Sequence, residues 1–186
     1  MIWVVEVIIM VVLQDLVILQ DIQVLEEIIW DLESSRGNMI FKKFDYINKI
    51  TLNYVLDMYE ILTKYYQKEL TNEEFNNWFH MITNDKNYNI IICIDKNKMV
   101  GFLCYMIINN NLIICEIQII PDYQKKYGIF RKLFKQIKTH DIIDKVKCTI
   151  KKTNTHSIEC FTKMGMINTS GLWYEMNYNN FKNWLK

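Results

Sequence analysis

The stretch IIPDYQKKYGIFRKL, residues 119–133, decides the fold because it joins a β-strand to an α-helix through a tight turn. An apolar run precedes it, and an amphipathic run follows it. The only proline, Pro121, stands where the strand should end, and Gly128 stands where the helix should begin. A helix that begins at a glycine turn presents unpaired N–H groups to its surroundings. The stretch therefore predicts either a solvated turn or an anion-binding site, with Lys125 and Lys126 on the approach.

The elements on both sides of this stretch can be ordered from hydrophobic periodicity and turn residues. The predicted order is a strand in 41–50, helices in 51–70 and 71–82, two strands in 89–108, a strand in 112–120, a helix from 128 to about 140, a strand in 146–152, a helix in 153–165 and a hairpin in 166–178. The strand, helix and strand of 112–152 form a crossover, which makes that pair of strands parallel. The sequence predicts one α+β domain over 39–186, with a mostly antiparallel mixed sheet flanked by helices.

Residues 1–38 differ in composition from the rest because they contain no lysine and an excess of acidic residues. Their longest uninterrupted apolar run, 7–13, is too short to span a membrane, and the segment lacks the features of a signal peptide. One apolar stripe follows a helical face: Ile18, Ile22, Leu25, Ile29 and Leu32. We therefore interpret 1–38 either as a helical extension that packs on the domain or on a second copy, giving a homodimer, or as a segment added upstream of a natural start at Met39.

Cysteine, histidine and lysine patterns exclude several classes of function. The five cysteines contain no paired motif and mostly lie in apolar runs, which indicates buried free thiols in a reducing, intracellular and cytoplasmic compartment. His80, His140 and His156 share no metal-ligand spacing, so we expect no metal. Lysines in 39–186 are scattered opposite apolar helix faces, so we expect no nucleic-acid partner.

Two segments resemble the signature motifs of the GCN5-related N-acetyltransferase (GNAT) family. Residues 116–133 are similar to a strand that ends in V-x-P-x-Y-[QR], followed by a glycine turn and a helix, and residues 154–166, NTHSIECFTKMGM, are similar to N-x-x-A-x-x-[FY]-Y-x-K-x-G-F. The chain departs from the motifs at three positions. Tyr127 lengthens the turn, Phe130 replaces a small residue, and Phe161 replaces a tyrosine that stands near the sulfur of coenzyme A (CoA) in the family.

The resemblance implies the GNAT fold and acetyl-CoA as cosubstrate. It places the following residues at the cofactor: Ile119, Gln124, Lys125, Lys126, Tyr127, Gly128, Ile129, Phe130, Asn154 and Phe161. Either Gln124 or Lys125 fills the first pyrophosphate position, and a main-chain N–H near Ile119 holds the oxyanion. Asn154 has a second interpretation as the N-cap of the following helix.

Glu116 is the candidate general base because it is the only acidic residue in the apolar run 112–120, on the same strand face as Gln118. The alternative is a solvated glutamate at a sheet edge. Tyr174 is the candidate acid for the departing thiolate, in place of the missing tyrosine, with a packed strand aromatic as the alternative. We interpret the aromatic residues of the two early helices as mostly core and expect part of the set to line the acceptor site: Tyr65, Tyr66, Phe75, Trp78 and Phe79.

The predicted function is transfer of the acetyl group of acetyl-CoA to a primary amine of a small molecule or protein. The patterns LTNEEF and PDYQ, and Gly171 with Glu175 and Met176, also resemble the glucosamine-phosphate branch of the family, which makes an amino sugar a specific candidate. The alternative is a catalytically inactive CoA-binding module of the same fold.

Overall fold

The computed structural model describes residues 39–45, 48–66, 70–125, 128–139 and 142–186. The predicted helical extension 1–38 and its apolar stripe lie outside the described residues, as do Lys126 and Tyr127 of the turn. The chain divides into two units, one of 1–40 with 95–97 and one of 41–94 with 98–186. In the described part of the first unit, Lys96 and Asn97 have positive φ angles of 49° and 61°. The second unit carries the structure discussed below.

The helices and strands of the described residues follow the predicted order. The strands are β1 (Ile40–Phe44), β2 (Tyr88–Asp95), β3 (Lys98–Ile108), β4 (Asn111–Ile119), β5 (Lys145–Thr149), β6 (Ile167–Ser170) and β7 (Trp173–Asn177). The helices are α1 (Leu52–Tyr66), α2 (Asn72–Asn84), α3 (Ile129–Lys135), α4 (Thr155–Met164) and α5 (Tyr178–Leu185), with one turn of 3₁₀ helix at Pro121–Tyr123.

The strands form one mixed sheet in the order β1-β2-β3-β4-β5-β7-β6. β3 and β4 are antiparallel, β4 and β5 are parallel, and β7 is antiparallel to both β5 and β6. The helix between the parallel strands is α3, so the crossover unit predicted from the sequence is confirmed. The fold is the predicted α+β arrangement with one central parallel pair.

The ends of β1 and α3 differ clearly from the prediction, and one helix was not predicted. β1 ends at Phe44, well short of residue 50. α3 ends at Lys135, short of residue 140, because the N–H groups of Gln136 and Ile137 bond to carbonyls only three residues back and tighten the last turn. α5 was not predicted, although the Asn177 side chain accepts a hydrogen bond from the Asn179 N–H and caps the helix.

Helices cover the sheet on its two faces. Alternate residues of β4, β5 and β7, Ile114, Cys148 and Met176 among them, are buried on one face. α3, α4 and α5 contact one another there through an aromatic cluster: Phe130, Phe134, Phe161, Phe181 and Trp184. We call this the cofactor face, after the sequence-based expectation for Phe130 and Phe161. α2 contacts the opposite face through Trp78, and α1 packs against α2. We call that the acceptor face, after the acceptor site expected beside these two helices.

The predicted capping box at the start of α2 is confirmed. The Thr71 hydroxyl accepts from the Glu74 N–H, while the Glu74 carboxylate accepts from the Thr71 N–H at 2.9 Å. Together the two bonds satisfy main-chain donors that a helix start leaves unpaired. They fix where α2 begins and therefore where Trp78 meets the sheet.

Candidate active site

The site lies where β4 parts from β5. The parallel register runs from Asn111 opposite Lys145 to Ile114 opposite Cys148, and no pairing with β5 continues beyond Ile114 within the described strands. On the other side, β4 stays paired with β3 up to Ile119 opposite Gly101. The second half of β4 therefore turns main-chain groups toward a gap. Such a gap can admit an extended ligand that completes the missing ladder.

A β-bulge at Cys115 sets the orientation of the residues that follow. Tyr105 pairs with Ile114 while Cys104 pairs with Glu116, so Cys115 is the extra residue on β4. A bulge re-aims the side chains of the strand that carries it. Since Met106, the partner of Ile113, and Cys104 lie two residues apart on β3, Ile113 and Glu116 both project from the acceptor face.

Glu116 is held in a partly buried position by two neighbours. The Trp78 indole N–H donates to one carboxylate oxygen at 3.4 Å, and the Gln118 side-chain amide donates to the other at 3.5 Å. The prediction that Gln118 shares its face is therefore confirmed, and the solvated edge position is not what the structure shows. A carboxylate held in this way can accept a proton from an amine on the acceptor face.

The end of β4 is fixed through the carbonyl of Ile119. The Tyr66 hydroxyl and the Gln124 amide both donate to this oxygen, and the Gln124 amide also lies 2.9 Å from the Tyr66 oxygen. Partial burial raises the pKa of the Tyr66 phenol, so the hydroxyl keeps the proton that it donates. The Gln124 side chain is thus engaged in holding the strand end.

The main-chain N–H of Ile119 points toward the gap. The next N–H, that of Ile120, donates to Val100 of β3 at 3.0 Å, and N–H groups alternate sides along a strand. The Ile119 N–H therefore faces away from β3, as an oxyanion donor requires. Gly101 permits the close approach of β3 here, because a Cβ on it would stand 2.8 Å from the Gln118 carbonyl oxygen.

The turn before α3 has the geometry of a glycine-opened helix start. Gly128 adopts a left-handed conformation (φ 62°), and the first helical hydrogen bond runs from the Lys132 N–H to the Gly128 carbonyl. The N–H groups of 129–131 precede that bond and are available to a ligand. Lys125, also left-handed at φ 58°, is exposed at the same turn.

α4 brings the second motif next to this turn. The pKa of the Glu159 carboxyl is lowered, first by its hydrogen bond with Lys163 and to a lesser extent by the nearby Lys125. The Asn154 side chain accepts from the Ser157 N–H at 3.1 Å, so the N-cap interpretation describes its observed contact. Contact of Asn154 with a cofactor remains a prediction.

Two of the three departures from the family motifs contact each other. The rings of Phe130 and Phe161 meet edge to face with centroids 5.7 Å apart, and Phe161 is only 5% exposed. Trp184 of α5 packs on Phe130 from another side at 5.9 Å. The bulk at Phe130 is therefore accommodated by a helix that the sequence prediction did not contain.

Tyr174 lies on β7 opposite Cys148, a residue of the cofactor face, whereas Glu116 projects from the acceptor face. The structure thus places the candidate acid and the candidate base on opposite sides of the sheet. Such a separation suits an acid that serves the thiolate and a base that serves the amine. Both roles remain predictions.

The cysteines are all free, but only Cys93, Cys104 and Cys148 are buried. The expectation of buried thiols is therefore wrong for Cys115, which is exposed at the bulge, and for Cys160, which is partly exposed. Burial raises the pKa of the Cys148 thiol to about 12. No three metal-ligating side chains cluster in the described ranges, and none of the helices described is long and apolar enough to cross a membrane.

Sequence reasoning named Tyr66 and Trp78 only as members of a core aromatic set. The structure assigns them hydrogen bonds to Ile119 and Glu116, both in β4. The sequence signal for these bonds was the polar group on each ring, the Tyr66 hydroxyl and the Trp78 indole N–H. Such groups usually have a hydrogen-bond partner when the ring is buried. A groove on the acceptor face, described below, was also missed.

The described sheet thus contains one parallel pair of strands that separates next to a partly buried carboxylate. Residues 55–166 match the acetyltransferase (GNAT) family, and this match covers more than half of the chain. The chain therefore belongs to the GNAT family of acetyltransferases. No curated protein matches the sequence.

Solved structures with the same fold include two that are named as acetyltransferases and one that contains acetyl-CoA. NAA60 of Arabidopsis thaliana in complex with acetyl-CoA is similar with a TM-score of 0.59 at 11% identity, over 76% of this chain and 99% of that one. The ribosomal-protein-S18-alanine N-acetyltransferase of Escherichia coli gives 0.58 at 12% identity, over 75% and 94%. An aminoglycoside acetyltransferase from an uncultured soil metagenomic sample, in complex with sisomicin, gives 0.56 at 13% identity, over 72% and 91%. At these identities the likeness establishes the fold.

Proposed function

We propose that this chain is an acetyl-CoA-dependent N-acetyltransferase that acetylates a primary amine directly. The observation that carries the proposal is the pairing of a held carboxylate, Glu116, with a main-chain N–H, that of Ile119, at the point where β4 leaves β5. Membership of the GNAT family supports acetyl-CoA as cosubstrate, and NAA60, which shares the fold, was solved with it.

In the proposed reaction, the neutral amine nitrogen attacks the thioester carbonyl carbon. A C–N bond forms, the C–S bond breaks, and the products are the N-acetylated amine and free CoA thiol. Glu116 accepts the proton that the amine loses, because an amine of the lysine type is mostly protonated at pH 7 and must be neutral to attack. The Ile119 N–H stabilises the negative charge that develops on the carbonyl oxygen. Tyr174 remains the proposed proton donor to the thiolate.

The cofactor would be held at the turn before α3. The N–H groups of 129–131 and the side chain of Lys125 offer donors and positive charge to a pyrophosphate. Since the Gln124 amide is bonded to Ile119 and Tyr66, Lys125 is the better candidate for the first pyrophosphate position. Asn154 and Phe161 on α4 complete the proposed cofactor side.

Lys125→Glu is expected to raise the KM for acetyl-CoA about tenfold, since an attraction worth about 1.4 kcal/mol is lost, with little change in kcat. The difference should shrink at high salt because exposed charges are screened. Lys86→Glu, an exposed lysine in the turn after α2, is the matched control. Initial rates at varied acetyl-CoA concentration measure the effect, and equal KM values for the two variants would remove Lys125 from the site.

An amino-sugar acceptor stays a proposal without support from the family match. Two of the patterns that resemble the glucosamine-phosphate branch have local structural roles here. Thr71 and Glu74 of LTNEEF form the capping box, and Gln124 of PDYQ holds the Ile119 carbonyl. These structural contacts explain why the residues are present without reference to the identity of the acceptor.

The alternative of an inactive CoA-binding module is favoured by one observation. Phe161, which replaces the family tyrosine, is packed under Phe130 and brings no hydroxyl to that position. Incubation with acetyl-CoA and a panel of amines, followed by mass spectrometry of the amines, decides between the two functions. An N-acetylated amine supports the enzyme, and cofactor binding without any acetylated product supports the module.

A further inference from the structure

A groove of about 340 Å³ lies on the acceptor face. Its lining comes from five strands, β3 to β7, and includes Ile113, Lys147, Trp173, Tyr174 and Glu175. Glu116 lies outside this lining, but Ile113 and Glu116 project from the same face about 7 Å apart, since their β3 partners are separated by two residues. Lys147 is the register partner of Ile113, one residue before β5 separates from β4. The pair of Ile113 and Lys147 is therefore the part of the lining from which a bound molecule would reach toward the proposed base.

Positive charge exceeds negative charge around Lys147 in the groove. Lys145 and Lys147 project from the same face of β5, and Glu175 of β7 stands directly opposite Lys147. The Glu175 carboxylate nevertheless bonds to the Lys145 ammonium at 2.7 Å and is only 22% exposed. The carboxylate opposite Lys147 is thus paired with Lys145, and Lys147, a partly buried residue, lines the groove. A lysine beside an already paired carboxylate favours an anionic ligand group.

The rest of the lining fits a small organic molecule. Trp173 is 44% exposed and offers an apolar wall, while Asn111 and Ser170 offer hydrogen-bonding groups. A groove of this volume with an apolar wall and a few polar groups has the character of a small-molecule site. The spacing of about 7 Å between Ile113 and Glu116 suits a molecule whose amine and anionic group are separated by a few bonds.

We propose that this groove is the acceptor site and that the preferred acceptor is a small amine that also carries a carboxylate or phosphate, which Lys147 binds while the amine faces Glu116. The inference rests on the proposed function and narrows it from amines in general to anionic amines. The same geometry disfavours polycationic acceptors, because Lys147 would repel them. Lys147 acts here as a specificity determinant that takes no part in proton transfer.

The test uses matched acceptor pairs that differ in the anionic group alone. Glucosamine 6-phosphate is compared with glucosamine, and β-alanine with β-alaninamide, so that the two pairs separate phosphate from carboxylate. The wild-type protein should show a kcat/KM about 10- to 100-fold higher for the anionic member of at least one pair, as for a charged hydrogen bond. Lys147→Gln should remove this preference by raising the KM for the anionic member, so that the two members of the pair react with similar kcat/KM.

Two further variants test whether the effect of Lys147→Gln comes from the loss of positive charge at this position. Lys147→Arg should keep the preference, and Lys98→Gln, an exposed lysine at the far end of β3, should leave it untouched. An equal rate for both members in the wild type, a preference for neutral or polycationic amines, or a preference that survives Lys147→Gln would each overturn the inference while leaving acetyl transfer intact. Absence of turnover with every amine, despite acetyl-CoA binding, would instead refute the proposed function and the inference with it.

Discussion

Glu116→Gln is expected to lower kcat/KM for amine acetylation by about 10²- to 10⁴-fold at pH 7, the usual contribution of a general base. Glutamine keeps the size of the side chain and can still meet Trp78 and Gln118, so the fold should be unaffected. What it loses is the ability to take the proton of the attacking amine. The variant should then depend on amine that is already neutral, and its rate should rise about tenfold per pH unit below the amine pKa, near 10.4 for a lysine-type amine.

The matched control is Glu73→Gln, which makes the same chemical change on the exposed first turn of α2. This variant should keep nearly full activity. The measurement compares the initial rates of the wild type and both variants with one amine, from pH 6 to about 10. If Glu116→Gln follows the wild-type rate at every pH, the base is a different group and the site has been assigned wrongly.

Gly101→Val is expected to lower both stability and activity, because it acts on the strand segment that carries the proposed oxyanion donor. Even the Cβ atom would lie 2.8 Å from the Gln118 carbonyl oxygen and 3.2 Å from the Ile119 side chain. Main-chain atoms cannot rotate away, so β4 must shift relative to β3. Overpacking of this kind costs about 1–3 kcal/mol in the free energy of unfolding.

Gly101→Val should lower kcat as well as stability, which a merely destabilised variant would not do while it is folded. Movement of the Ile119 N–H should reduce kcat at temperatures where circular dichroism shows the variant to be folded, with Gly101→Ala giving a smaller change in the same direction. Lys98→Ala, at the exposed start of the same strand, should change stability by no more than about 0.5 kcal/mol. A folded Gly101→Val protein with wild-type kcat would show that the end of β4 does not position the reaction.

Much of the fold could be predicted from the sequence because its signals are local. The capping box of α2, the proline and glycine around α3 and the β-branched runs of the sheet each determine structure within a few residues. α5 was missed because its short amphipathic pattern follows directly on β7 with neither Gly nor Pro to separate them. The end of α3 was missed because basic residues continue the helical pattern after its hydrogen bonds have changed.

The positions of site residues were predictable only where one segment of the chain carries them. Glu116, Ile119 and the turn residues lie in a single stretch, and their positions follow from strand alternation, the proline and the glycine. Their roles came from the family resemblance and remain proposals. Contacts between distant elements have no local sequence signal. The hydrogen bond of Trp78 with Glu116, that of Tyr66 with Ile119, and the contact between Phe130 and Phe161 depend on how the elements pack. The same holds for the groove at Lys147, whose lining comes from five strands.

Release of free CoA thiol from acetyl-CoA, followed with and without an amine, distinguishes the proposed acetyltransferase from a CoA-binding module. We expect thiol release well above the acceptor-free rate with at least one amine, in amounts equal to the N-acetylated product. Glu116→Gln should abolish most of that acceptor-dependent release. A protein that is stabilised by CoA against heat, yet releases no thiol with any amine in the panel, would refute the proposed acetyl transfer and establish a binding module on this fold.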